Sequence, residues 1–350
     1  MSLAGWWTAR RRRSPFEGAA ETTAPSSAGP ARAASVEGSL IVESATIDAV
    51  AESPAERQLR FFSWLVGVVP GTGPTPCPVI GQMLEQIDAI TTSESLRAGL
   101  LPRAPHVVPQ LMKTLRDEHY SSVDVASRIS KDVVLTAEVV RSATSAFQRG
   151  DDEGEIDLPR AVTMIGTQGL RRAIANVVLR PIFDAKGDTF SARAANQIWK
   201  DADRKARLCA ALVTPEIGDP FDGYLAGLLH NTGWTALLRA IDGFEDMALN
   251  GAQLAHPEVI PQLLQRRDAL FGAIVGPWNL SAAVDGLAAD VGRNGVEGVQ
   301  SPLGLALRQA DRLAALRALT PVGQGPGVTV PTWATLPKAV RDCYAGLAAH

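Results

Sequence analysis

The side chains best able to hold a metal or act as nucleophiles are few in this chain of 350 residues. There are five histidines (His106, His119, His230, His256, His350) and three cysteines (Cys77, Cys209, Cys343). No cysteine lies within four residues of another, which excludes Cys-X-X-Cys redox sites, zinc fingers, iron–sulfur clusters and a disulfide scaffold. Scattered free thiols fit a reducing compartment. No Gly-X-Ser-X-Gly elbow occurs, and Cys209 in LCAAL reads as a core residue. The glycines of GTQG around Gly166 and of PGTGP from Pro70 lack the lysine or third glycine that a phosphate cradle uses. Basic residues crowd one stretch, from Arg141 through Arg171, Arg172 and Arg180 to Arg193, Lys200, Arg204, Lys205 and Arg207. An acidic run from Asp151 to Glu155 lies among them and aromatic residues are sparse, so solvated helix faces are expected rather than a nucleic-acid site. A formal charge of -3 agrees.

Elements must bring such scattered residues together, and the composition says which kind. Hydrophobic residues make up 46% of the chain and aromatic residues only 5%, so the core is aliphatic and alanine-rich, as in closely packed helices. At about 150 residues per domain the length allows roughly two domains. Residues 1–54 are rich in Ala, Ser, Thr, Gly and Pro and are expected to form a disordered leader. Within it Trp6, Trp7 and Arg10 to Arg13 could make weak peripheral contact with an anionic membrane. An amphipathic helix follows over 55–69, with Ser53 and Pro54 placed as cap and first residue. Its apolar stripe, with Leu59, Phe62, Trp64 and Val66, must dock on its own domain or, failing that, on a partner protein. Residues 70–83 read as a stiff Pro/Gly linker.

From residue 84 to 320 the pattern is almost continuous helix. Stretches are expected over 105–115 and 133–147, on both sides of Gly166, and over about 190–214, 220–240, 258–275, 280–291 and 302–319. Residues 321–350 are expected to be a loop and a last helix. A short VTV at Val328 to Val330 is the weak exception, and the fold class is all-α. No apolar stretch is long enough to span a bilayer, and the N-terminus lacks the apolar region of a secretory signal. A cytoplasmic location is expected.

Six segments, in order and spacing, carry a family resemblance: LPRAPHVVPQLMKTL, SSVDVASRISKDVVLTAEVVRSATSAF, IDLPRAVTMIGTQGLRRAIANVVL, IWKDADRKARLCAALV, YLAGLLHNTGWTALL and LALRQADRLAAL. Together they resemble the HDOD family, the HD-related output domain of bacterial signalling proteins, from about residue 101 to 319. The resemblance implies a bipartite helical bundle, with sub-bundles of about 84–185 and 186–320, the second like the HD phosphohydrolases. In those enzymes a His-Asp pair, an earlier His and a later Asp hold a divalent metal that activates water. The corresponding positions here read Asp201, His230, Asn231 and Asp311. Asparagine in place of the paired carboxylate removes a negative charge that a hard cation needs. The site therefore reads as vestigial, with no catalytic residue, no metal and no cofactor expected. His230 is expected to be a hydrogen-bonded interior histidine, and Asp311, beside Arg312, a helix salt-bridge or hydrogen-bond partner rather than a lone ligand. Trp199, Trp234 and Trp278 could line a residual pocket or anchor the core.

The resulting expectation is a non-catalytic signalling module that works through protein contacts, its partners belonging to a cyclic-dinucleotide or two-component pathway. The alternatives are a residual metal-dependent phosphohydrolase or cyclic-dinucleotide phosphodiesterase, and a nucleotide-binding sensor without turnover.

Overall fold

The structure is a computed structural model that describes residues 53–70, 78–101, 133–147, 158–244, 251–320 and 336–347. The leader up to residue 52, the expected helix over 105–115, the acidic loop, the VTV stretch, Cys77, His106, His119 and His350 lie outside the described residues. Every regular element among the described residues is helical. In chain order they are α1 (Pro54–Val66), α2 (Pro78–Thr92), α3 (Glu94–Leu100), α4 (Val133–Phe147), α5 (Leu158–Phe183), α6 (Phe190–Leu212) and α7 (Pro220–His230). Then come α8 (Thr232–Asp242), α9 (Gly251–Leu254), α10 (Ile260–Val275), α11 (Ala282–Gly298), α12 (Pro302–Leu319) and α13 (Lys338–Gly346).

Local chemistry sets the helix starts. At α1 the Ser53 hydroxyl accepts from the Glu56 amide at 3.2 Å while the Glu56 carboxylate accepts from the Ser53 amide at 2.8 Å. This reciprocal capping box, with Pro54 as first residue, satisfies two amides that the helix leaves unpaired. α7 and α12 start with a single cap bond and a proline: Asp219 accepts from the Phe221 amide before Pro220 opens the helix, and Ser301 accepts from the Gly304 amide with Pro302 first. Thr189 and Ser281 cap α6 and α11.

α6 is the central element: α7, α8 and α12 pack along it, joined by α1 and α13, while α10 closes the bundle against α8 and α11. Side chains from all of them share one core that includes Leu208, Leu228, Leu237, Phe271, Val291 and Leu307. Two glycines permit the approaches that bring the later site together. A Cβ at Gly227 of α7 would lie 2.6 Å from the Ala206 Cα and the Lys205 carbonyl oxygen of α6. A Cβ at Gly233 of α8 would clash with the Arg267 carbonyl of α10. A smaller core, with Val139, Ala143, Ala161, Val162, Leu170 and Ala173, joins α4 to the first half of α5. The second half of α5 contributes Ala175, Leu179, Ile182 and Phe183 to the main core. Gly166, at φ 60, breaks α5 where the sequence placed a helix end.

Several expectations change. The 70–83 segment is not linker throughout, because α2 begins at Pro78 and buries Ile80 and Met83. α2 and α3 also join the main core through Ile80, Met83, Ile87 and Leu101, so a first sub-bundle spanning 84–185 does not describe the packing. The helix expected over 220–240 is two helices that turn at Asn231. The partner-binding role for α1 falls away. Phe62, Leu65 and Val66 are fully buried against α6, α10 and α12, with Leu59 and Trp64 half-buried beside them. The stripe docks on its own domain because burying such residues stabilises by about 1.5–3 kcal/mol each.

Candidate functional site

The four positions singled out by sequence converge, and they converge on a lysine. Asp201 and Lys205 stand one turn apart on α6, His230 ends α7, Asn231 forms the α7–α8 corner, and Asp311 comes from α12. The Lys205 ammonium is fully buried. It donates to Asn231 Oδ1 at 2.6 Å, reaches His230 Nδ1 at 3.2 Å and Asp201 Oδ2 at 3.4 Å, and pairs with Asp311 Oδ1. Around this centre lies a second layer from α10. His230 Nε2 lies 3.0 Å from Asp268 Oδ1, which also accepts from Arg267 Nε at 2.8 Å. Arg267 Nη1 lies 3.6 Å from Asp311 Oδ2, closing the ring. The other Asp268 oxygen accepts the Val296 amide at 2.8 Å, beside the left-handed Gly295 that kinks α11.

The network assigns the histidine tautomer. An ammonium has no lone pair, so Nδ1 accepts from Lys205 and Nε2–H donates to Asp268. Burial first, then the Lys205 and Arg267 charges, hold the His230 pKa below its ordinary value of 6.5, so the ring is neutral at pH 7. Burial alone would raise the Asp311 carboxyl, but Lys205 and Arg267, with His230 beside them, hold it well below the usual carboxylate range. Asp268 is depressed in the same way, burial being outweighed by Arg267 and His230. Three carboxylates face Lys205, Arg267 and a neutral imidazole, and the buried Arg204 of α6 adds its charge towards Asp201.

Asn231 fits this arrangement as aspartate would not. Its amide donates to the Ile198 carbonyl at 3.0 Å and to Asp201 Oδ2 at 2.9 Å, while its oxygen accepts from Lys205. A carboxylate there would donate nothing and would face Asp201 as a second anion. Asp201 Oδ1, in contrast, is buried with no hydrogen-bond partner.

A divalent metal does not fit these residues. Metal–ligand bonds to nitrogen and oxygen run to about 2.0–2.2 Å for zinc. Here the donors are spread 2.6–3.4 Å from a nitrogen that already fills their centre. Among the described residues no group of three or more His, Cys, Asp or Glu is set to hold a metal ion.

The remaining sequence candidates go elsewhere. Asp311 is not an intrahelical partner of Arg312; Arg312 pairs with Glu297 at 2.6 Å, and Asp311 turns inward. Trp234 is fully buried between Phe62 and the Arg267 guanidinium, Trp278 is buried, and Trp199 is half-buried against Phe183 under Arg180. Trp234 and Trp278 belong to the main core, and Trp199 packs against it. Cys209 is buried and its thiol is pushed up to about 12 by burial, so it is inert. Several basic residues of the crowded stretch have partners: Arg141 pairs with Glu138, Arg193 with Asp188, Arg207 with Asp203 and Arg171 with Asp219.

Sequence reasoning missed Lys205, Arg267 and Asp268. A signal existed, since Ala194, Ile198, Asp201, Lys205 and Leu208 follow the spacing of one buried helix stripe. Leu263, Arg267, Leu270 and Ile274 do the same on α10. Charges set into apolar stripes must find each other inside the fold.

The family model of the HDOD domain matches residues 101–289, over half of the chain. The chain belongs to the HDOD family. Among solved structures, this HDOD chain is similar to a protein of Shewanella amazonensis SB2B named "Putative metal-dependent phosphohydrolase", at 17% identity and a TM-score of 0.54, covering 77% of this chain and 97% of that one. It is also similar to an HDOD domain protein with unknown function from Geobacter sulfurreducens, at 21% identity and a TM-score of 0.49, covering 77% and 90%. No curated protein matches. At such identity the likeness concerns the fold. No described helix is long and apolar enough to cross a membrane.

Proposed function

We propose that this HDOD chain is a non-catalytic regulatory module of bacterial signal transduction, acting in the cytoplasm through contacts with signalling proteins. One observation carries the reading: the buried Lys205 ammonium sits among Asp201, His230, Asn231 and Asp311, the positions at which the hydrolases of this fold type would hold their metal. Metal-dependent hydrolysis needs a Lewis acid and an open position for the attacking water. An ammonium offers neither, having no vacant orbital and all its hydrogens engaged by protein acceptors. Sequence points the same way, because the paired carboxylate is Asn231. The rival, a metal-dependent phosphohydrolase or cyclic-dinucleotide phosphodiesterase, draws on the name of the Shewanella protein, a neighbour in fold.

Turnover assays on the purified full chain separate these readings. With cyclic dinucleotides and generic phosphoesters, in added Mn2+ or Fe2+, no hydrolysis above buffer is expected. Turnover that disappears in His230→Ala would contradict the proposal. A rise in melting temperature with a cyclic dinucleotide, without turnover, would select a nucleotide sensor instead.

A further inference from the structure

The Lys205–Asn231 contact is more specific than a broken metal site needs. Loss of a ligand could leave water or a void in its place. Here a cation enters from α6 on its own tether, and the neighbouring ligand position carries the one change, carboxylate to amide, that suits a monovalent centre. Asn231 donates to Asp201 and Ile198 and accepts from Lys205, all three at hydrogen-bonding distance. Meanwhile the rest of the seat keeps a ligand's geometry. His230 turns Nδ1, with its lone pair, to the centre, and its opposite nitrogen is held by Asp268, the orienting arrangement of metal-bound histidines. Asp201 Oδ1 is a buried carboxylate oxygen without a partner. Asp311 faces the same centre.

We propose that Lys205 and Asn231 are a matched pair that replaces a divalent cation and its carboxylate, and that this pair keeps Asp201, His230 and Asp311 from acting as a divalent-metal seat. The inference rests on the non-catalytic reading above and gives it a residue-level cause. The ammonium supplies one positive charge where a metal would supply two, and the amide removes the negative charge the metal would have balanced. Either half of the exchange alone leaves the buried site out of balance. Lys205→Ala strips the cation paired with Asp201 at 3.4 Å, and Asn231→Asp sets a second carboxylate against Asp201. Both together restore one carboxylate beside Asp201 and Asp311 around an emptied centre, which with His230 makes a hard-oxygen and imidazole donor set suited to Mn2+.

Full-length wild type, Asn231→Asp, Lys205→Ala/Asn231→Asp and Lys205→Met are compared by metal analysis after Mn2+ loading and dialysis, and by melting with and without Mn2+. The double variant is expected to retain about one Mn2+ per chain and to melt higher in Mn2+, since binding to the folded state alone stabilises it. Asn231→Asp, with its lysine in place, is expected to retain none. Lys205→Met fills the lysine's volume without its charge and keeps Asn231, and it is also expected to retain none. A double variant that is helical by circular dichroism yet binds no Mn2+ overturns the inference. If that variant is unfolded without metal, recovery of helical signal in Mn2+ supports the inference and failure to recover overturns it. Mn2+ retained by Lys205→Met or by Asn231→Asp overturns it as well. Stoichiometric Mn2+ in the wild type is a different result, and contradicts the non-catalytic reading itself.

Discussion

The fate of Lys205 sets the character of the site. Its charge is enclosed by Asp201, His230, Asn231 and Asp311, so removing it takes the paired cation from Asp201 and leaves Asp311 the longer contact with Arg267. Breaking a buried ion pair from one side costs about 3–5 kcal/mol, and Lys205→Met is expected to lower stability by that order in urea unfolding. A loss below about 1 kcal/mol, typical of exposed pairs, would show that the network is not desolvated as described. His230 gives the cluster a pH signature. It faces Lys205 of α6, Asp311 of α12, and Asp268 with Arg267 of α10, and its folded pKa is depressed below 6.5. The unfolded chain therefore binds more protons once pH falls below about 6.5, and stability declines from there towards the folded value. Urea midpoints across that window should fall in the wild type and fall less steeply in His230→Gln. An unchanged slope would place the titration elsewhere.

At the scale of elements, α1 and the glycine-permitted crossings hold the site's frame. α1 places Phe62 against Trp234, ring centroids 5.7 Å apart, and Trp234 in turn lies under Arg267 of the cluster. Phe62→Ala is expected to cost about 3–5 kcal/mol, as large-to-small changes in a packed core do. Gly227→Ala should cost about 1–3 kcal/mol, since its Cβ would press on the α6 backbone at Lys205 and Ala206. Losses near zero in equilibrium unfolding would contradict this packing. Trimming the chain before Ser53 is expected to keep the helical fold, whereas trimming through Pro70 removes core. A capping pair made the start of α1 legible in the sequence, at Ser53–Pro54. The break at Asn231 was not legible, because LLHNTGWTALL keeps its apolar pattern across the corner and both helices are buried there. Burial of α1 could be read only as a choice between self and partner, since a stripe names no occupant.

For the whole molecule, the all-α class and the HDOD membership were readable from segment order. Asp201, His230, Asn231 and Asp311 were readable as positions but not as a network. The missing part was Lys205, which looks like one more solvated charge until α6 is set against α7, α10 and α12. Charge in a helix is read by default as surface; here three carboxylates, a lysine and an arginine meet inside the bundle. Under the proposed reading, an HDOD bundle whose centre is filled by its own paired side chains suits a module that passes signals by contact.

The most direct test is the metal content of the purified wild-type chain after incubation with Mn2+ or Fe2+ and dialysis. The expected result is well below one metal ion per chain and no change in melting temperature. Stoichiometric metal whose uptake is lost in His230→Ala would mean that Lys205 does not close the site, and would contradict the account at its centre.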